Sequence, residues 1–132
     1  MERRAINPWK WQDDYDFSWA VEVRGSGRTV YCAGQVSCDA DRRPVHPGDM
    51  LAQFHQALDN LERVLGEAGL KLSNVVRLNY YTTDIPAFLE AVPKVGVRLK
   101  EAGCKPASTL LGITRLAEPE WMLEIEATAV SM

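Results

Sequence analysis

Apolar residues recur along this chain in two different rhythms. From Met50, the positions Leu51, Phe54, Ala57, Leu58, Leu61, Val64, Leu65 and Ala68 follow steps of three and four, the spacing of one helix face. Asp49 stands where a carboxylate can cap the first free N–H groups, and Gly69 where a helix ends most easily. A second helix is predicted over 86–102, with Phe88, Leu89, Val92, Val95, Leu99 and Ala102 inward and Asp84 as its cap. Pro93 falls inside it. An interior proline removes one hydrogen bond and costs about 3 kcal/mol, so a kink or a late start is expected.

Elsewhere the period is two. Residues 18–24 and 29–33 flank the turn Gly25-Ser26-Gly27 and read together as a β-hairpin. Residues 74–83 are β-branched and aromatic, with Val76, Leu78 and Tyr80 on one face and Arg77, Asn79 and Tyr81 on the other. Final strands are predicted at 108–116 and 121–130. In the last of them Trp121, Leu123, Ile125, Ala127 and Ala129 share an apolar face, opposite Met122, Glu124, Glu126, Thr128 and Val130. Residues 34–48 are rich in turn formers, and residues 1–16 form an N-terminal arm without a clear period.

The order is ββαβαββ within a single domain, residues 1–132. That pattern predicts an α+β fold, one mixed sheet with both helices on one face. The other face would carry Arg77, Tyr81, Met122 and Val130 beside its charges. Such a face is expected to be buried in a homo-oligomer.

Composition narrows the function classes. A chain of 132 residues, 46% hydrophobic and 25% charged, is an ordinary globular domain. Its net charge of −3 gives no general attraction to nucleic acid, and Arg3-Arg4 and Arg42-Arg43 are too short for a basic patch. No apolar run approaches the roughly 18 residues that span a bilayer, and the first residues lack a signal core. Cys32, Cys38 and Cys104 are an odd number without CxxC spacing, which suits reduced thiols in the cytoplasm. His46 and His55 are expected to be solvent-exposed, and no metal site or cofactor is expected.

Several segments resemble the Rid (reactive intermediate deaminase, YjgF-type) family. They are Tyr31-Cys-Ala-Gly-Gln35, Gln56-Ala-Leu-Asp-Asn-Leu61, Glu67-Ala-Gly-Leu70, Asn74-Val-Val-Arg77, Tyr81-Thr-Thr-Asp84, Pro106-Ala-Ser-Thr109 and Glu124-Ile-Glu-Ala127. The resemblance covers about residues 17–130 and implies a chorismate-mutase-like subunit in a homotrimer, with small-ligand pockets between subunits. It also implies hydrolysis of imines or enamines by a glutamate of the last strand working with a water, here Glu124. An arginine of the Pro-Ala-Arg-Ser loop would clamp a substrate carboxylate, but Ser108 holds that position. The other pocket positions fall at Phe17, Val92 and Leu110, with the loop at Gly34 retained.

Each candidate has a plainer reading beside it. Glu124 is either an acid/base group or a carboxylate hydrogen-bonded at a subunit interface. Glu126, on the same face, is a weaker candidate. Ser108 is either a ligand contact or a loop hydroxyl, and no histidine is marked as its base. Phe17, Trp19 and Trp9 either wall an aromatic pocket or pack a terminal arm. Arg77 and Arg115 are the candidates for a replacement clamp. An apolar wall at Val92 and Leu110 suits a less polar ligand than an amino-acid-derived enamine. The leading reading is a hydrolase acting on a small imine or enamine, with doubtful activity on 2-aminoacrylate. The alternative is a non-catalytic trimer that binds a small ligand. Ribonuclease activity, known across the family, sits poorly with the acidic balance.

Overall fold

The computed structural model describes residues 2–25 and 27–131; Ser26, in the expected turn, lies outside them. Eight regular elements follow in the order β1 (Glu2–Ile6), β2 (Ala20–Arg24), β3 (Thr29–Tyr31), α1 (Met50–Glu67), β4 (Val75–Thr82), α2 (Ile85–Glu101), β5 (Leu110–Gly112) and β6 (Leu123–Val130). Strands β3, β6, β4 and β5 form a four-stranded sheet in that order. Only β4 and β5 run parallel. The fold is α+β with a mixed sheet.

The caps are where local chemistry puts them. Asp49 accepts from Ala52 N at 3.0 Å and Asp84 from Ala87 N at 3.1 Å. Helix α1 ends at Gly69, whose φ is +73°, a conformation glycine adopts without a Cβ penalty. Helix α2 starts at Ile85 and is continuous through Pro93, so no late start occurs. One α1 stripe, including Phe54, Leu58, Leu61 and Leu65, is fully buried against Leu78, Leu123 and Ile125 of the sheet. Each such side chain contributes about 1.5–3 kcal/mol by leaving water.

Three expectations change. The hairpin of 18–24 with 29–33 does not form: β2 pairs with β1 in a separate two-stranded ribbon, Glu2 opposite Arg24 through Ile6 opposite Ala20. The arm therefore carries a strand, invisible in the sequence because all five of its residues are exposed and show no alternation. A register shift between Val75 and Arg77 inserts Val76 as an extra residue in β4. Val75 then takes the inward place at 2% exposure, because one extra residue reverses the alternation before it. Finally, β5 keeps only three residues of the longer strand expected.

His55 is also placed differently. It is half-buried, with Nδ1 3.1 Å from Arg98, which in addition pairs with Asp59 and Glu62. This network ties α2 to α1. His46 is exposed. Cys32 is buried as expected, and Cys104 is buried too, its thiol pushed up to about 12 by desolvation. That keeps Cys104 protonated and unreactive.

Candidate active site

Pairing between β4 and β6 decides which side chains share a face. Tyr81 lies opposite Glu124, Asn79 opposite Glu126 and Tyr80 opposite Ile125. Tyr80 and Ile125 turn toward the helices, so Tyr81, Asn79, Glu124 and Glu126 turn to the open face. The two carboxylates on that face are not equivalent. Glu126 accepts from the Tyr81 hydroxyl, in a short hydrogen bond, and from Asn79 Nδ2 at 3.3 Å. Glu124 accepts no hydrogen bond among the described residues and lies half-buried. Burial raises its pKa, and the neighbouring Glu126 charge raises it further. Glu126 is anchored; Glu124 is unengaged.

Gly34 explains how Glu124 fits. The chain after β3 rejoins β6 at Gln35, which exchanges backbone hydrogen bonds with Ile125 at 2.6 and 2.9 Å. Gly34 there lies flat against the Glu124 side chain. A Cβ on Gly34 would overlap the carboxylate and fall 2.7 Å from Glu124 Cδ and 2.9 Å from Cγ. Gly34→Ala is therefore expected to swing the carboxylate aside. The side chain is flexible, so the melting temperature should change by no more than about 4 °C, the equivalent of about 1 kcal/mol. Chemical shifts of a labelled Glu124 carboxyl measure the displacement.

A cleft of about 290 Å³ opens on the other side of the sheet, between β5 and α2. Phe54, Tyr80 and Phe88 form its floor. Val92, Val95 and Leu99 of α2 form one wall, and Ser108 with Leu110 the sheet edge. The segment Trp11–Phe17 closes it. That segment is held down by Ser18, whose N–H donates to Pro106 O at 2.9 Å and whose hydroxyl donates to Lys105 O at 2.7 Å.

The expected site residues thus fall into separate places. Phe17, Val92, Ser108 and Leu110 line the cleft. Gly34 and Glu124 lie together on the opposite face. Trp19 stands behind the wall, packed edge-on against Trp9, Trp11 and Phe17 with ring centroids 4.9–5.3 Å apart. One chain brings the two groups to opposite sides of a sheet, not to one point. Neither arginine candidate reaches the cleft lining: Arg77 donates to Thr109 Oγ1 at 3.2 Å, and Arg115 to the carbonyl of Leu116 at 3.0 Å.

Sequence reasoning passed over Trp11, Tyr15, Asp16 and Gly96, which also line the cleft. Only Gly96 carried a signal. A glycine in the apolar stripe of a helix marks a close approach, and here the Asp16 carboxylate occupies the space its Cβ would take. Among the described residues, no group of three or more His, Cys, Asp or Glu side chains is placed to hold a metal ion, and no helix is long and apolar enough to cross a membrane.

Comparison with known proteins gives this geometry a family. The family described as endoribonuclease L-PSP matches residues 14–131. Protein DfrA of Myxococcus xanthus is 31% identical over 115 residues, covering 87% of this chain and 85% of its own. A 2-iminobutanoate/2-iminopropanoate deaminase of Dermatophagoides farinae is 28% identical over 116 residues, covering 86% of this chain and 84% of its own. The crystal structure of YyfB from Yersinia pestis, a Rid-family protein of unknown function, matches with a TM-score of 0.89 at 41% identity, over 99% of this chain and all of the other. With the family match spanning nearly the whole chain, this protein belongs to the Rid (endoribonuclease L-PSP) family.

Proposed function

We propose that this protein hydrolyses a small imine or enamine at sites shared between copies of the chain. The carrying observation is Glu124, a half-buried carboxylate with a raised pKa and no hydrogen-bond partner among the described residues. Stability alone gives no reason to desolvate an unengaged carboxylate. A poised acid/base group accounts for it. Water adds to the carbon of the protonated imine as Glu124 takes one of the water's protons, leaving a neutral carbinolamine. Glu124 then returns that proton to nitrogen, the C–N bond breaks as the hydroxyl oxygen closes the C=O bond, and the hydroxyl proton passes to solvent. The products are a carbonyl compound and ammonia.

The cleft supplies the binding half. Since Glu124 lies on the far side of the sheet from it, a working site needs Glu124 of one copy beside the cleft of another. The open face favours such assembly, in line with a homotrimer. Tyr31 and Leu111 are 81% and 50% exposed there, and the buried Asn79 Oδ1 has no partner among the described residues. Relatives named for 2-iminobutanoate and 2-iminopropanoate deamination support the reaction class. The expected clamp arginine is Ser108 here, which argues against a carboxylate-bearing substrate.

Ammonia release from imines generated in situ by an amino-acid oxidase and by a flavin-dependent amine oxidase tests the reading. Wild type should accelerate release from at least one of them. Equal rates for wild type and Glu124→Ala would sink the catalytic role and leave a ligand-binding trimer in its place.

A further inference from the structure

Asp16 is the one charged side chain among the residues lining the cleft, and apart from Ser108 and Gly96 the others are aromatic or aliphatic. Two features show that its position is built. Its backbone is left-handed, with φ of +57°, a conformation that costs a non-glycine residue free energy. Gly96 of α2 leaves the space its carboxylate fills. Among the described residues no side chain hydrogen-bonds or ion-pairs with that carboxylate. The lysines of the flanking segments do not pair with it. Lys105 pairs with Asp13 and Lys10 donates to Asn7 O, while Lys100 makes no ion pair within 4.0 Å among the described residues.

Around Asp16 stand the rings of Trp11, Tyr15, Phe17 and Tyr80. Trp11 meets Tyr15 and Phe17 edge-on, with centroids 6.0 and 6.2 Å apart. Aromatic faces attract cations and repel anions, and a carboxylate at the rim adds to that preference. No arginine or lysine lines the cleft to receive an acid.

We propose that this cleft selects a cationic ligand: a small protonated imine or amine with an apolar ring or chain and no carboxylate. The cation sits between Asp16 and the rings of Trp11 and Tyr80, and its apolar body reaches the wall of Val92, Val95 and Leu99. Asp16 offsets the desolvation that an apolar pocket imposes on a charge. The proposal names the substrate class of the imine-hydrolysing site and rests on that reading for the cleft's role. Its test reads binding alone, so it stands or fails independently of Glu124 chemistry.

Three probes of nearly equal shape serve at neutral pH: benzylamine, benzyl alcohol and benzoate. Trp11 fluorescence or ligand-observed NMR follows each titration. The expected order is benzylamine, benzyl alcohol, benzoate, with the cation favoured over the alcohol by about fivefold to tenfold. Asp16→Asn should bring benzylamine within about twofold of the alcohol while leaving alcohol binding in place. Gly96→Ala, which displaces the same carboxylate without removing it, should act in the same direction. Benzoate binding as tightly as benzylamine, a cation preference undiminished in both variants, or no binding of any probe would overturn the proposal.

Discussion

Glu124→Gln is expected to lower the rate of imine hydrolysis by about 100- to 10,000-fold, the usual contribution of a positioned general acid/base. Glutamine keeps the size and polarity of the side chain but cannot take the proton from water. Folding should be unaffected, because the Glu124 carboxylate holds no hydrogen bond among the described residues that the substitution could break. The pH profile adds a second readout. Hydrolysis by wild type should rise with pH as Glu124 ionises, and the midpoint should lie above the ordinary carboxylate value of about 4.3. Burial and the Glu126 charge set that direction. The glutamine variant should lose this limb. Glu126→Gln should not copy the effect on rate, since Glu126 is held by Tyr81 and Asn79.

The largest effect on stability is expected at Gln53. Its side chain is fully buried and makes three hydrogen bonds to main chain. Nε2 donates to His46 O at 3.1 Å and to Glu120 O at 2.9 Å, and Oε1 accepts from Met122 N at 2.9 Å. These bonds join the first turns of α1 to the preceding loop and to the residues leading into β6. Gln53→Ala would leave Glu120 O and Met122 N without partners, His46 O keeping its bond from Asp49 N, and each buried orphan costs about 1–3 kcal/mol. A loss of about 3 kcal/mol, or about 10 °C in melting temperature, is the expected result. Gln53→Leu should lose nearly as much despite filling the volume. Full recovery by leucine would show that packing, not hydrogen bonding, governs the position.

Both helices were legible before any coordinates, because a stripe such as Phe54, Leu58, Leu61 and Leu65 admits one geometry and Asp49 and Asp84 cap by local chemistry. The inward set of β6, Leu123, Ile125, Ala127 and Ala129, was legible for the same reason. Strand partnership was not. Residues 18–24 alternate too weakly to specify a neighbour, and Glu2–Ile6, with no buried position, gives no sign of pairing with them. The bulge at Val76 depends on the register of β6, which a single segment cannot reveal.

The site divides along similar lines. The resemblance placed Glu124 and Gly34, and their mutual contact follows from β3 rejoining β6. It also placed Phe17, Val92, Ser108 and Leu110, which the fold gathers at one cleft. That the two groups occupy opposite faces follows from the β4–β6 pairing, a tertiary fact. Asp16 was invisible because its meaning comes from Gly96, eighty residues along the chain, and from rings brought around it by the fold.

The shared site can be tested by mixing two inactive proteins. One carries Glu124→Gln with an intact cleft; the other carries Val92→Trp, which fills the cleft but keeps Glu124. Co-refolded in equal amounts, they should regain about a quarter of wild-type imine hydrolysis, because one head-to-tail interface in four then joins an open cleft to a working carboxylate. Activity no greater than that of the two parents would contradict a site completed by Glu124 of a neighbouring copy.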